Sequence, residues 1–328
     1  MSDEKLAASL ATKIADYRLG EIEPPDGDHV LRWVRQFPEA DRSDVLSELD
    51  HVLGKTYISK TGATSFLGGL LTLNSLAGDD PSSFWRDVNL LNIQKNGNSQ
   101  NDMLAILEEL KLTKFGKQKK EKSDTYIYID DVLFTGNRIG NDLELWIQDS
   151  APDAADLHII VLGLHKLGNW QLGERLKKAV TASGKDIKFK TWRGVELENR
   201  KAYRDRSEIL WPVSLPASAA EYGQGKFAFE PRNPGQTHFP FSSENGRQRL
   251  ELAFVEAGMK IRSFSENSAP IMRPLGFSPF GLGFGSTIVT YRNCPNNAPL
   301  ALWWGDPSKG RLHPLGKWLP LVPRKTYG

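Results

Sequence analysis

A run of β-branched and aromatic residues that meets two carboxylates and then a helix-opening turn limits this chain more than any other feature. Residues 126–142 read Tyr-Ile-Tyr-Ile-Asp-Asp-Val-Leu-Phe-Thr-Gly-Asn-Arg-Ile-Gly-Asn-Asp. Tyr126 to Ile129 has the pattern of a buried strand. The acids Asp130 and Asp131 end it, Thr135-Gly136-Asn137 turns the chain, and a helix is expected from about Ile139. In an open parallel sheet, ligands dock at the carboxyl ends of the strands. A turn that opens a helix offers free backbone N–H groups and the positive end of the helix dipole, which suit a phosphate. Adjacent carboxylates suit sugar hydroxyls and Mg²⁺, an ion that prefers oxygen ligands. One loop is thus shaped for the phosphate, sugar and metal of a ribose 5-phosphate.

The flanking pattern is that of an α/β fold. Leu157 to Leu164 is a continuous apolar run, as a strand covered on both faces requires. Trp170 to Ser183 reads as a helix that Gly184 ends, and Ile187 to Thr191 as the next strand. Upstream, Val88 to Ile93 reads as a strand, residues 94–100 as a glycine-containing loop, and Asn101 to Leu110 as a helix. This alternation favours right-handed crossovers and a doubly wound, mainly parallel sheet.

Before it, helical spacing recurs over residues 5–17, over His29 to Phe37, after a Ser43 cap, and from Thr64 to Leu76. Residues 1–80 are therefore expected to form a helical region, followed by an α/β core over 81–195. Residues 196–328, richer in Gly, Pro and aromatics, would complete the core and add a hood. The apolar stretch Ser65 to Leu71 lacks base-reading side chains, so it reads as packing and not as a DNA-recognition helix.

A chain of 328 residues with 39% hydrophobic content fits one large or two modest domains. A net charge of +2 argues against a strongly basic nucleic-acid binder. The single cysteine, Cys294, excludes an internal disulfide and fits a reducing cytoplasm. The polar N-terminus and the lack of a membrane-length apolar stretch place the expected location in the cytoplasm, with no membrane partner. His158, His165 and Cys294 lack zinc-site spacing.

The segment 126–142 resembles the phosphoribosyl-diphosphate (PRPP) motif of type I phosphoribosyltransferases, with Asp130, Asp131, Thr135 and Gly136 matching in order and spacing. The resemblance implies that fold, with Asp130 and Asp131 facing the ribose hydroxyls as catalytic residues and Mg²⁺ ligands. Thr135, Gly136, Asn137 and Arg138 would wrap the 5-phosphate. Arg138 stands where the family usually has Thr or Ser, and can pair with phosphate bidentately. The loop carrying Lys95, Gly97, Asn98 and Ser99 is similar to the family's pyrophosphate loop. The lysine-rich residues 111–122 stand where the family places a flexible catalytic flap. Between residues 110 and 124 there is little room for the family's strand, so the core is expected to be trimmed.

Tyr291 to Trp304 is similar to the C-terminal signature of phosphoribosyltransferase-like proteins of bacterial anti-phage and conflict systems, some in retrons beside winged-helix partners. There Asn296 and Asn297 would meet a base edge and Trp303 would stack on it.

The resemblance implies an anti-phage effector that binds PRPP or a nucleotide and makes or breaks an N-glycosidic bond with Mg²⁺. The alternative is a non-catalytic nucleotide sensor acting through a protein or nucleic-acid partner. A housekeeping nucleotide-salvage enzyme fits the long N- and C-terminal additions less well.

Overall fold

The computed structural model describes residues 2–95, 98–235, 239–265 and 268–324. The first helices are α1 (Asp3–Lys13), α2 (Gly27–Val34) and α3 (Arg42–Thr56), followed by the short strand β1 (Tyr57–Ile58). Asp26 caps α2 by accepting from the His29 amide at 2.7 Å. Ser43 does not cap the third helix as expected; it lies inside α3, and its hydroxyl donates to Asp3. The single helix anticipated over 64–76 is divided into α4 (Lys60–Leu70) and α5 (Asn74–Ala77), and α6 (Pro81–Asp87) follows.

The α/β part runs β2 (Asn89–Leu91), α7 (Ser99–Phe115), β3 (Thr125–Leu133), α8 (Asn137–Asp149), β4 (Ala154–His165), α9 (Lys166–Ser183) and β5 (Asp186–Leu197). The sheet order is β2-β3-β4-β5, with every neighbouring pair parallel. Alternation within the strands decides which face each side chain serves. Leu157, Ile159 and Val161 of β4 join Tyr128 of β3 in one cluster with Ile139 and Leu143 of α8 and Leu172 and Leu176 of α9.

On the other face, the Phe84 ring of α6 lies 6.0 Å from His158. Phe66 of α4 packs over Gly194 of β5, and Leu110 of α7 reaches Gly68 of α4. Helices therefore cover both faces, as a doubly wound sheet requires. No strand forms between Gly116 and Asp124, so the core is trimmed where the sequence left no room for one.

The remaining elements are α10 (Glu244–Arg262), β6 (Met272–Arg273), β7 (Gly276–Phe277), β8 (Val289–Thr290) and α11 (Leu300–Trp303). Ser243 caps α10, accepting from the Gly246 amide at 3.0 Å. The chain divides into two compact units, Met1–Ser59 with Glu198–Gly328, and Lys60–Leu197. Residues 60–80 thus fall with the sheet, and the later division, at Leu197–Glu198, lies two residues from 195. The apolar faces of α1 to α3 are buried with α10 and the C-terminal aromatics, and Leu10, Trp33, Leu49, Phe254, Trp303 and Trp318 share one core. Trp33 donates its indole N–H to Ala301 O at 2.8 Å, and β1 pairs in parallel with β8. Helices α4 to α6 belong with the sheet. Among the described residues, no helix is long and apolar enough to cross a membrane.

Candidate functional site

The strand carrying the paired acids is longer than the sequence reading allowed. β3 continues through Val132 and Leu133, both apolar and pleated into the sheet, so the acids lie inside the strand near its carboxyl end. The pleat then sends the two side chains in different directions. Asp130 is 1% exposed, whereas Asp131 is half-buried. Asp130 is therefore not an open ligand to a sugar in this state, and this corrects the expectation that both acids face the ribose.

Asp130 instead joins the β2–α7 loop to the carboxyl end of β3. Its Oδ1 accepts from Ser99 Oγ at 2.6 Å and from the Asp131 amide at 2.9 Å, and its Oδ2 accepts from Gln94 Nε2 at 3.3 Å. Gln100, also buried, accepts from the amides of Ile93 (2.7 Å) and Gln94 (2.9 Å) and donates to Ile129 O at 3.2 Å. The β2–α7 loop is thus fastened to β3 at the acids. Ser99 and Asp130, brought together from two separate motifs, are in direct contact. Ser99 spends its hydroxyl on Asp130, which leaves only its backbone for a phosphate. Lys95 and Asn98 stand exposed at this loop, and Gly97 lies outside the described residues.

Burial and the neighbouring Asp131 charge push the Asp130 carboxyl up to about 7, against the Ser99 hydrogen bond and the positive charge of Arg138. Beneath the loop, Tyr128 donates to Asp142 Oδ2 at 2.8 Å. Burial raises the Asp142 carboxyl, and the Tyr128 hydrogen bond and the charges of Arg138 and Lys95 oppose that rise. One cation from each loop therefore acts on the same carboxylate.

The turn after β3 has the anion-cupping form. Gly136 takes φ +75° as the residue before α8 and has no side chain to cap it; Thr135 Oγ1 accepts from the Asn137 amide at 3.4 Å, which leaves the following amides uncapped. The amides of its first turn therefore have no intrahelical acceptor. Thr135, Asn137 and Arg138 are exposed around it. The turn is also wedged. A Cβ on Gly136 would stand 2.8 Å from Gly168 O, and a Cβ on Gly168 would stand 2.0 Å from Phe134 O. Arg175 of α9 pairs with Glu144 at 2.5 Å and reaches Asn141 Oδ1 at 2.8 Å, which ties α9 to α8. The His165 ring stacks on Phe134 at 5.2 Å. Burial pushes His165 down to about 3, so it sits there as a neutral ring.

Two expected groups are elsewhere. The basic segment begins inside α7, which runs on through Phe115 until Gly116 (φ +71°) stops it. Ser99 opens α7 at the acids, and at about 1.5 Å per residue Lys111 is roughly 18 Å further along the helix. Lys120 bonds Asn89 Oδ1 at the start of β2, the opposite edge of the sheet. The lysines do not form a lid over the acids in this structure.

Trp303 belongs to the other unit. It is 6% exposed, packs against Phe277 and Trp304, and donates to Ala298 O at 2.8 Å. It is a core residue and not an open stacking face. Asn297 donates its side-chain amide to Phe277 O at 3.2 Å, and the main-chain carbonyl of Asn296 accepts from the Phe277 amide at 2.7 Å. Both hold the β7 turn.

The sequence reading missed Gln94, Gln100, Asp142, Gly168 and Arg175. Only Asp142 left a local sign, four residues beyond Arg138 on one helix face. Among the described residues, no group of three His, Cys, Asp or Glu is arranged to hold a metal.

A parallel sheet whose two strand-to-helix bends meet over paired acids defines a phosphoribosyltransferase-like α/β protein. The family model PRTase-CE matches residues 30–324, and the chain belongs to that phosphoribosyltransferase-like family. No curated protein and no solved structure matches it.

Proposed function

We propose that the carboxyl edge of β2 and β3 binds a phosphorylated ribose, either PRPP or a nucleotide. The observation that carries this reading is the Ser99–Asp130 hydrogen bond at 2.6 Å, which holds the β2–α7 loop and the Thr135–Arg138 turn around one acid pair. Asp131, the accessible acid, takes the ribose hydroxyls. The uncapped amides of α8 and the Arg138 guanidinium take the 5-phosphate. Lys95 and Asn98 face the second phosphate group. Asp130 acts as the post that keeps both loops in place.

Two carboxylates without a third ligand fit Mg²⁺ only if ligand oxygens complete its shell, which is how this ion is commonly held. Asp131 would hold it, since the raised Asp130 carboxyl is a poor donor near neutral pH. Bound there, the ion would supply charge neutralisation at the pyrophosphate. In chemistry at the C1–N bond, positive charge grows on the sugar, and the Asp131 carboxylate stabilises it. Within this proposal the protein is a cytoplasmic anti-phage effector, a role supported by the likeness of residues 291–304.

A second reading is favoured by the position of the basic segment. With the lysines at the far edge of the sheet, nothing described closes over the acids, and a sensor that binds without turnover needs no lid. Titration calorimetry with PRPP and Mg²⁺, followed by assay for released pyrophosphate or free base, separates the two. Binding that is lost in Asp131→Asn supports the site, and turnover lost with it supports the enzyme. Undiminished PRPP binding by that variant overturns the assignment.

A further inference from the structure

The twelve residues 111–122 hold six lysines and one acid. Their surroundings are not those of a loose, solvated run. With α6 and β2 they wall a cleft of about 430 Å³, lined by the apolar Trp85, Val88, Leu90, Leu112 and Phe115 and by the charged Arg86, Lys111, Lys117 and Lys120, with Glu108 paired to Lys111 at 3.1 Å. That volume lies in the range of ligand sites.

The segment is fastened at three places. Gln118 Nε2 donates to Ser82 Oγ at 2.9 Å, Lys120 Nζ to Asn89 Oδ1 at 2.7 Å, and the Glu121 amide to Asp87 Oδ1 at 2.8 Å. Lys119 lies between these anchors and Lys117 and Lys122 flank them; all three are exposed, as is Lys114 one turn back on α7. None of these four forms an ion pair among the described residues. Arg86, in contrast, is neutralised by Asp87 at 2.7 Å and lies 3.6 Å from Glu121.

The unspent charge is therefore all lysine, on a backbone fixed beside an apolar floor. Carboxylate partners are best read by the planar fork of arginine. A row of point charges beside a partly exposed aromatic ring matches a phosphodiester chain with bases that can rest on apolar faces.

We infer that this cleft, at the sheet edge opposite the acid pair, binds single-stranded nucleic acid through its phosphates without regard to sequence. Lys117 in its lining, with Lys114, Lys119 and Lys122 on the same segment outside it, neutralises phosphates, and Phe115 and Leu112 support a base. The inference stands apart from the sugar-phosphate reading, because the two sets of residues share no member.

The test is fluorescence anisotropy of the full chain with a labelled mixed-sequence 20-mer of single-stranded DNA, and with the matching RNA, across a series of salt concentrations. Four phosphate contacts predict a log–log salt slope of about −3. Lys114→Gln with Lys117→Gln and Lys119→Gln should weaken binding at least tenfold and flatten the slope by about 2. These side chains are exposed and unpaired, so an unchanged melting temperature should accompany the loss. Asp131→Asn should bind the oligonucleotide like the unaltered chain. Absent binding at 50 mM salt, a slope that the triple variant does not change, or binding of a poly-glutamate peptide equal to that of the oligonucleotide would each overturn the inference.

Discussion

Two glycines in the same backbone region differ in what lies beside them, and that difference measures how firmly the β3–α8 turn is wedged. Gly136 has φ +75° and Gly184 has φ +70°, and both flank a helix of the same unit. Alanine in this left-handed region costs roughly 1–2 kcal/mol at either position. At Gly184 that should be the whole effect, since nothing lies within 4 Å of the added Cβ. At Gly136 the Cβ also meets Gly168 O at 2.8 Å and Leu172 Cβ at 3.1 Å. Overpacking against backbone that cannot yield adds about 1–3 kcal/mol. Gly136→Ala should therefore lose about 2–5 kcal/mol in total.

For a unit of this size about 4 °C accompanies each kcal/mol, so Gly136→Ala should melt roughly 4–12 °C below Gly184→Ala. Differential scanning calorimetry reads the difference. The same pair of variants should separate in PRPP binding, with Gly184→Ala unaffected. Equal melting temperatures would show that the turn is free to move off α9, and the rigid cradle would be refuted.

Asp130 sets a pH dependence. Its folded pKa is raised to about 7 from an ordinary value near 3.9, so its contribution to stability is complete below about pH 4 and is lost as pH rises through about 7. Asp130→Asn removes that titration, and the stability of the unaltered chain relative to the variant should fall by up to about 1.4 kcal/mol per pH unit across this window. Urea melts at pH 4.5, 6 and 8 check it. Ser99→Ala takes a donor from the same carboxylate and should cost about 1–3 kcal/mol at pH 8, where the acid is charged, and less at pH 5. In the other unit, Glu251 pairs with Arg247 at 2.7 Å and Arg232 at 3.0 Å, all three buried. Glu251→Ala should cost about 3–5 kcal/mol in chemical denaturation, because it strips the buried Arg247 of its ion-pair partner and leaves Arg232 with Glu244 alone. Trp303→Ala should cost about 3–5 kcal/mol as a core deletion, measured the same way.

Local chemistry made much of this fold legible. The apolar run of β4, the stop at Gly184 and the acid–turn–helix order of 130–139 each follow from short-range propensity, and each forms where the sequence implied. What escaped depends on partners distant in the chain. Which of two adjacent acids turns inward is decided by the pleat and by Gln94 and Ser99, some thirty residues earlier. The basic segment was misplaced because Lys111, Leu112 and Lys114 are good helix formers, and α7 carries them away from the acids before Gly116 intervenes. Trp303 looked available because nothing near it reveals that Phe277 and Trp304 enclose it. The grouping of α1 to α3 with Leu210, Phe241 and α10, and of residues 60–80 with the sheet, rests on contacts that no local pattern reveals.

That last pairing has a consequence for biosynthesis. Residues 60–197 form an excursion between the two stretches that build the other unit. On the ribosome, α1 to α3 emerge first and have only one another for their oily sides until α10 and the final tryptophans have been translated. The excursion can meanwhile settle on its own strands. The polypeptide matures from the middle outward, and a chaperone that shields nascent hydrophobic surface would be needed by its beginning far longer than by its centre.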